Sequence, residues 1–135
     1  AATQLLGREG YSAKIKVLYD ASNPIQRGSS IAVWARTDGG ALLGGDAIGE
    51  LRKPSEAVGR EAAQNILVEL KAKATADVHL ADMLIPYVAL ARGSSIYLAR
   101  SLSEHLETNI WLAEEFLGVK FALEKVEGLY RIEKL

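Results

Sequence analysis

The sequence contains no cysteine, so disulfide bonds and thiolate metal sites are both excluded. It also lacks an excess of either charge, because 16 Lys and Arg residues are balanced by 17 Asp and Glu residues, for a formal net charge of −1. A near-neutral chain has no bulk attraction for nucleic acid, although a local groove can still be basic. Composition therefore weakens a nucleic-acid-binding function without excluding it.

Long apolar runs are absent as well. No run approaches the ~18 residues that a membrane-spanning helix needs, and the first residues do not form a basic-then-apolar leader. We therefore expect no membrane partner and a cytoplasmic location. What is present is a chain of 135 residues, 49% hydrophobic and 24% charged, which is typical of one folded domain or two small pieces.

The first residues, AATQLLGREGY, resemble the last turns of a helix that ends at Gly7 or Gly10. There is no initiator methionine, since Met83 is the only methionine in the chain. We therefore expect the chain to be the C-terminal piece of a longer protein.

Residues 11–49 predict β structure. Strict alternation over 11–19 predicts a strand with one buried face, followed by a loop over 20–28. Apolar residues on both faces of 29–37 favour a more central strand, and 37–40 is typical of a hairpin turn. The stretch 41–50 then predicts a weak third strand that is interrupted by glycines.

Five glycines crowd into residues 39–49. A glycine-rich loop can bind phosphate through its backbone, but the spacing GxxxxGK[ST] is absent. Bulges and tight turns are therefore the favoured interpretation of these glycines.

Two helices are predicted next. Pro54 suits the first turn of a packing helix that ends at about Ala74. A second helix is predicted over 77–91, with Asp77 as N-cap or first-turn acid. Its apolar residues recur at helical spacing and predict the packed face: Leu80, Leu84, Val88 and Ala91.

A neighbouring face of this second helix groups His79, Asp82, Met83 and Pro86. Pro86 has no N–H to donate to the carbonyl of Asp82. An unused backbone acceptor beside a carboxylate and an imidazole would suit a ligand. The alternative is that His79 and Asp82 form a surface pair and Pro86 merely bends the helix.

The C-terminal part predicts a strand over 94–100, a helix and a hairpin. Ser101-x-x-Glu104 matches a capping box, and Gly118 ends the helix. The segment 119–135 predicts a hairpin that turns at Glu127-Gly128. The packed stripe of the helix is Leu106, Ile110, Ala113 and Leu117.

His105, Thr108 and Asn109 project from the start of that helix on another face. A helix N-terminus disfavours protonated imidazole, so His105 is expected to stay neutral, which is its nucleophilic form. The same position favours anions. The alternative is an ordinary surface histidine.

Several segments, taken in chain order, carry a resemblance: RGSSIAVWA, LLGGDAIGE, PSEAVGREAA, HLADMLIPYVALARG and EHLETNIWLAEEFLG. Together they resemble the C-terminal part of an active archaeal- or bacterial-like member of the RNA 3′-terminal phosphate cyclase family. The resemblance implies an α/β (α+β) fold, built from repeated units with small sheets packed on helices and an inserted smaller domain. Residues 1–72 then correspond to the end of the inserted domain, and 73–135 to the end of the last repeat.

The resemblance also implies roles for individual residues. His105, followed by Thr108 and Asn109, matches the histidine that becomes adenylylated. Met83 departs from the family pattern, which usually has glutamine there, and a thioether cannot replace an amide as a two-way hydrogen-bonding group. The segment implied to contact the adenine nucleotide is His79, Leu80, Ala81, Asp82 and Met83.

The activity implied by the resemblance is ATP-dependent conversion of an RNA 3′-phosphate end to a 2′,3′-cyclic phosphate through histidine–AMP. It would require ATP with Mg²⁺ or another divalent ion, and the missing N-terminal part of the same protein, so the isolated chain is expected to be inactive. One alternative is a non-catalytic cyclase-like factor for RNA or ribosome assembly. Another is a small α/β binding domain in which both histidines are structural.

Overall fold

A computed structural model describes residues 1–19, 22 and 28–135 of the chain. The described part contains helices and strands in mixed order, which confirms the α+β fold class. The helices are α1 (Ala2–Arg8), α2 (Ser55–Ala72), α3 (Val78–Leu90) and α4 (Glu104–Leu117). The strands are β1 (Ser30–Arg36), β2 (Leu42–Ile48), β3 (Ser95–Ala99), β4 (Phe121–Val126) and β5 (Leu129–Lys134).

The chain forms two compact units. The first comprises residues 1–35 and 44–68, and the second comprises residues 36–43 and 69–135. The assignment of 1–72 and 73–135 to two domains of a longer protein stays a prediction. None of the helices within the described ranges is long and apolar enough to cross a membrane.

The strand expected over 11–19 is wrong. These residues are exposed and form neither helix nor strand, and no described strand supplies the hydrogen-bonding neighbour that an alternating pattern needs. The expected helix at the start is confirmed as α1, but Gly7 lies inside it, and Gly10 follows with a positive φ of 87°. Most of the expected loop at 20–28 lies outside the described residues.

The expected hairpin after residue 29 is confirmed, but β1 is not a central strand. In the described part of the chain, β1 pairs with β2 in a two-stranded sheet, and its residues alternate between exposed and half-buried. Trp34 lies on the exposed side. The turn is closed by the Thr37 N–H, which donates to the carbonyl of Ala41 at 2.8 Å, and by Gly40, whose φ is 85°.

One glycine of the glycine-rich stretch serves close packing. A Cβ at Gly45 would meet the backbone N of Ile66 and lie 2.9 Å from the carbonyl oxygen of Ala62, both on α2. The chain therefore uses Gly45 to bring β2 against a helix. This favours the packing interpretation of the glycines over a phosphate-binding loop.

We expect Gly45→Ala to lower the free energy of unfolding by about 1–3 kcal/mol, because the backbone of α2 must move to admit the methyl group. Gly39→Ala is the matched control, since the nearest atom to its new Cβ is 3.9 Å away. It should change stability by less than about 0.5 kcal/mol. Equal effects of the two substitutions in urea denaturation would contradict the packing role of Gly45.

The second unit packs α3 and α4 against a three-stranded antiparallel sheet of order β3-β5-β4. The expected hairpin is confirmed, with Glu127 and Gly128 both at positive φ between β4 and β5. The core is formed by small and large apolar residues from all of these elements: Ala76, Ala81, Ile85, Ala89, Tyr97, Ala99, Leu106, Ile110, Ala113 and Ile132.

The packed face of α3 is shifted by one residue from the expected stripe. Ala81, Ile85 and Ala89 are buried, whereas the larger Leu80 and Leu84 are only partly buried at the edge of the core. Small residues at the centre of the contact let a helix approach its neighbours closely. The buried face of α3 therefore combines two small residues with one large one, Ile85, and the two leucines cover its edge.

Tyr97 on β3 links the sheet to α3. Its hydroxyl donates a hydrogen bond of 2.9 Å to the carbonyl of Ala81, and its ring is buried. Burial raises the pKa of Tyr97 above its ordinary value, and the negative charge of Asp82 raises it further.

This raised pKa predicts a loss of stability in alkali. An unfolded tyrosine releases its proton at about pH 10, while folded Tyr97 resists ionisation, so the stabilisation is complete below pH 10 and is lost as the pH rises above it. Tyr97→Phe should lower stability by about 1 kcal/mol at pH 7 and show a weaker decline above pH 10. Parallel declines of both proteins in thermal unfolding would contradict this role.

Candidate functional site

The first turns of α3 present the segment that sequence analysis linked to a nucleotide. Asp77 is the N-cap, as expected, and accepts a hydrogen bond of 2.8 Å from the N–H of Leu80. His79 and Met83 are exposed, and Asp82 is half-buried. The side chain of Ala81 is buried in the core, so the groups that α3 offers to a ligand come from the exposed members of the segment.

The start of α4 differs from expectation. Ser103, not Ser101, is the N-cap, and its hydroxyl accepts a hydrogen bond of 3.0 Å from the N–H of Leu106. Ser101 matched a capping box with Glu104, but Glu104 is the first helical residue rather than the third. The helix ends at Gly118 with a φ of 66°, as expected. His105 consequently lies in the first turn of α4 and is exposed.

Asp82 connects the two helices through its carboxylate. The Ser103 hydroxyl donates to Oδ1 of Asp82 at 2.5 Å. Ser103 therefore donates to α3 and accepts from α4 at the same time. The structure thus places the nucleotide-linked segment of α3 beside the turn that carries His105.

Asp82 connects the helices a second time through its backbone. The Asn109 side-chain N–H donates to the carbonyl of Asp82 at 3.1 Å. This is the carbonyl that lacks a helical partner because Pro86 has no N–H. The acceptor that the sequence left open for a ligand is therefore occupied by a residue of α4. The described contacts of Asp82 are made with α4 rather than with His79.

The chain entering α4 is anchored at Arg100. Its Nε and Nη2 donate to Oε1 of Glu69 at 3.2 and 3.1 Å. The Glu69 side chain is only 5% exposed, and its Oε2 has no hydrogen-bond partner among the described residues. A buried carboxylate held in this way is costly to leave unpaired. Arg100 thus fixes the chain just before the segment that leads to Ser103.

Both histidines of the chain are exposed, His79 on α3 and His105 on α4. Neither imidazole takes part in a hydrogen bond or ion pair within the described ranges. Glu104 and Glu107 flank His105 in the first turn. In residues 1–19, 22 and 28–135, no three His, Asp or Glu side chains converge as metal ligands. The site therefore presents an accessible imidazole on a firmly held helix start.

Comparison with known proteins identifies the family. The family model for RNA 3′-terminal phosphate cyclase matches residues 4–123. The chain belongs to the RNA 3′-terminal phosphate cyclase family. This confirms the resemblance drawn from the sequence.

Relatives named RNA 3′-terminal phosphate cyclase cover almost the whole chain. Those of Pyrobaculum neutrophilum and Methanosarcina acetivorans are each 46% identical over 98% of it, and span 38% and 35% of the relative's own length. The relative from Thermococcus onnurineus is 45% identical over 89% of the chain and 34% of its own length. The chain thus spans little more than a third of these cyclases.

Sequence reasoning named His105, Asp82 and Asn109 but missed Ser103 and the bridge that it forms. Two serines in Ser101-Leu102-Ser103 compete for the N-cap, and the capping-box rule favoured the wrong one. A usable signal was the pair of acids in the first turn, Glu104 and Glu107, which is typical of a helix that begins directly after Ser103.

The Pro86–Asn109 relationship predicts a coupled effect on stability. Asn109→Ala should cost about 1–3 kcal/mol, because it leaves the carbonyl of Asp82 unsatisfied. In a Pro86→Ala background, the new N–H of residue 86 would bond that carbonyl, so the cost of Asn109→Ala should fall below about 1 kcal/mol. Urea denaturation of the four proteins measures the difference.

Thr108→Ala provides the control for this cycle. The Thr108 hydroxyl donates to the carbonyl of Glu104 within α4, so its loss should cost the same in both backgrounds. If the cost of Asn109→Ala is likewise unchanged by Pro86→Ala, Asn109 does not compensate for the proline.

Proposed function

We propose that this chain carries the nucleophile of an ATP-dependent RNA 3′-terminal phosphate cyclase, and that the nucleophile is His105. The single observation that supports this most strongly is the position of His105. It is exposed in the first turn of α4. Ser103, two residues before it, donates a hydrogen bond to Asp82 in the α3 segment.

The reaction begins with ATP. An unprotonated nitrogen of His105 attacks the α-phosphorus of ATP. A P–N bond forms, the P–O bond to pyrophosphate breaks, and the imidazole releases its remaining proton to solvent. Amides at the start of a helix favour anions, whereas the Glu104 and Glu107 carboxylates in the same turn repel them, so the phosphates of ATP would need a cation to approach His105.

The AMP group then passes to the RNA. An oxygen of the RNA 3′-phosphate attacks the phosphorus bound to His105, the P–N bond breaks, and the imidazole takes up a proton from solvent as it leaves. The neighbouring 2′-hydroxyl finally attacks the 3′-phosphorus, loses its proton and expels AMP, which leaves a 2′,3′-cyclic phosphate. Covalent catalysis divides one difficult step into easier ones in this way.

Mg²⁺ or another divalent ion would enter bound to the phosphates of ATP and neutralise part of their charge. The exposed members of the α3 segment, His79 and Met83, are the candidates for direct contact with the nucleotide, and half-buried Asp82 lies between them in sequence. Met83 is 64% exposed, and its thioether offers a base apolar contact rather than an amide hydrogen bond. Nucleotide preference is therefore expected to depend on Met83. The missing N-terminal part of the protein would supply the other substrate-binding groups.

The test is intact-mass spectrometry of the full-length protein before and after incubation with ATP and Mg²⁺. We expect a gain of one AMP, mapped by peptide fragmentation to His105 rather than His79, and complete loss of the adduct in His105→Ala. Glu115→Gln, an exposed change later in α4, is the matched control and should leave the adduct intact.

Two results would contradict the proposal. One is an adduct that persists in His105→Ala, which would place the nucleophile elsewhere. The other is a folded wild-type protein that binds RNA 3′-phosphate ends but gains no AMP, as expected for a non-catalytic assembly factor of the same family.

A further inference from the structure

We propose that Asp82 and Ser103 together act as positioning residues for His105. On this view, the main role of the Asp82 carboxylate is to accept the hydrogen bond of the Ser103 hydroxyl, which caps the first turn of α4. Binding the nucleotide is not its main role. The inference rests on the proposed function, because it assigns the support of the nucleophile named there.

The hydrogen bonds form a short directional chain. Ser103 has a single hydroxyl proton, and it is donated to Asp82 Oδ1. That donation turns an oxygen lone pair toward the N–H of Leu106, 3.0 Å away. A charged acceptor strengthens the first bond, and neighbouring bonds of this kind polarise one another. Removing either Asp82 or Ser103 should therefore weaken the same helix cap.

Asp82 holds α4 at points on both sides of His105. Ser103 lies two residues before His105 and Asn109 lies four residues after it, and both bond to Asp82. The first turn of α4 cannot slide along α3 or rotate without breaking one of these bonds. Reactions at phosphorus depend on alignment, and a displacement of about 1 Å can cost ~100-fold in rate.

Electrostatics also favour a role of Asp82 in supporting α4 over a role in contacting the nucleotide. A carboxylate facing the phosphates of ATP meets like charge, whereas a carboxylate beside the N-terminus of α4 is stabilised by the helix dipole. Half-buried Asp82 already accepts one bond at its carboxylate and one at its carbonyl. Its neighbours His79 and Met83 are exposed and make no such contact with α4 in the described part of the chain.

The experiment is a double-mutant cycle in the full-length protein, with Asp82→Ala, Ser103→Ala and the double variant. AMP attachment is followed in single turnovers over a range of ATP concentrations. We expect each single variant to lower the rate at saturating ATP by about 10–100-fold, with little change in the ATP concentration that gives half the maximal rate. The double variant should be no slower than the slower single variant, because both remove one linkage.

Two further variants separate positioning from a general loss of structure. Ser103→Thr keeps a capping hydroxyl and should therefore keep most of the wild-type rate of AMP attachment. Ser101→Ala removes a serine that does not cap the helix, and should leave the rate unchanged. In hydrogen exchange, Asp82→Ala and Ser103→Ala should each expose the Leu106 amide, while the amide of buried Ile132 stays protected.

Other outcomes would overturn the inference. If Asp82→Ala raises the half-saturating ATP concentration and its effect adds to that of Ser103→Ala, Asp82 binds the nucleotide directly. If Ser103→Thr fails to restore the rate while the Leu106 amide is protected, the cap does not support catalysis. A wild-type protein without AMP attachment contradicts the proposed function itself, and this inference falls with it.

Discussion

The hydrogen bond from the Ser103 hydroxyl to the Asp82 carboxylate is the interaction on which the arrangement of the site depends. It ties the N-cap of α4 to half-buried Asp82 on α3. Without it, the α3 and α4 segments that carry the family resemblance would keep their shared core and the Asn109 contact but would lose the bond that fixes the start of α4. Because the donor is also the helix cap, the start of α4 and its position against α3 are determined by one side chain.

Pro86 adds a second constraint on the same pair of helices. A proline inside a helix leaves a carbonyl without its usual partner, and a half-buried carbonyl needs another donor. Asn109 supplies that donor from α4. A local defect in α3 thus becomes a specific contact between helices, and both contacts converge on Asp82. The core of Ala81, Ile85 and Tyr97 beneath them gives the pair a rigid base.

Much of the fold could be predicted from sequence, because the signals there were local and strong. Helical spacing located α3 and α4, Gly118 marked the end of α4, and Glu127-Gly128 marked the final hairpin. The strand over 11–19 was wrong because alternation cannot say whether a partner strand is available. Ser101 was preferred to Ser103 because the capping-box spacing was given more weight than the two acids, Glu104 and Glu107, that follow Ser103. The family followed from ordered segments, while the roles of His105 and the α3 segment stay predictions.

The central claim is that His105 forms a phosphorus–nitrogen bond with AMP. Phosphorus NMR of the full-length protein, after incubation with ATP and Mg²⁺ and removal of free nucleotide, tests it most directly. We expect a protein-bound phosphoramidate resonance that is coupled to the imidazole protons of His105. A folded, RNA-binding protein that shows no bound phosphorus, or phosphorus bound to another side chain, would contradict the claim.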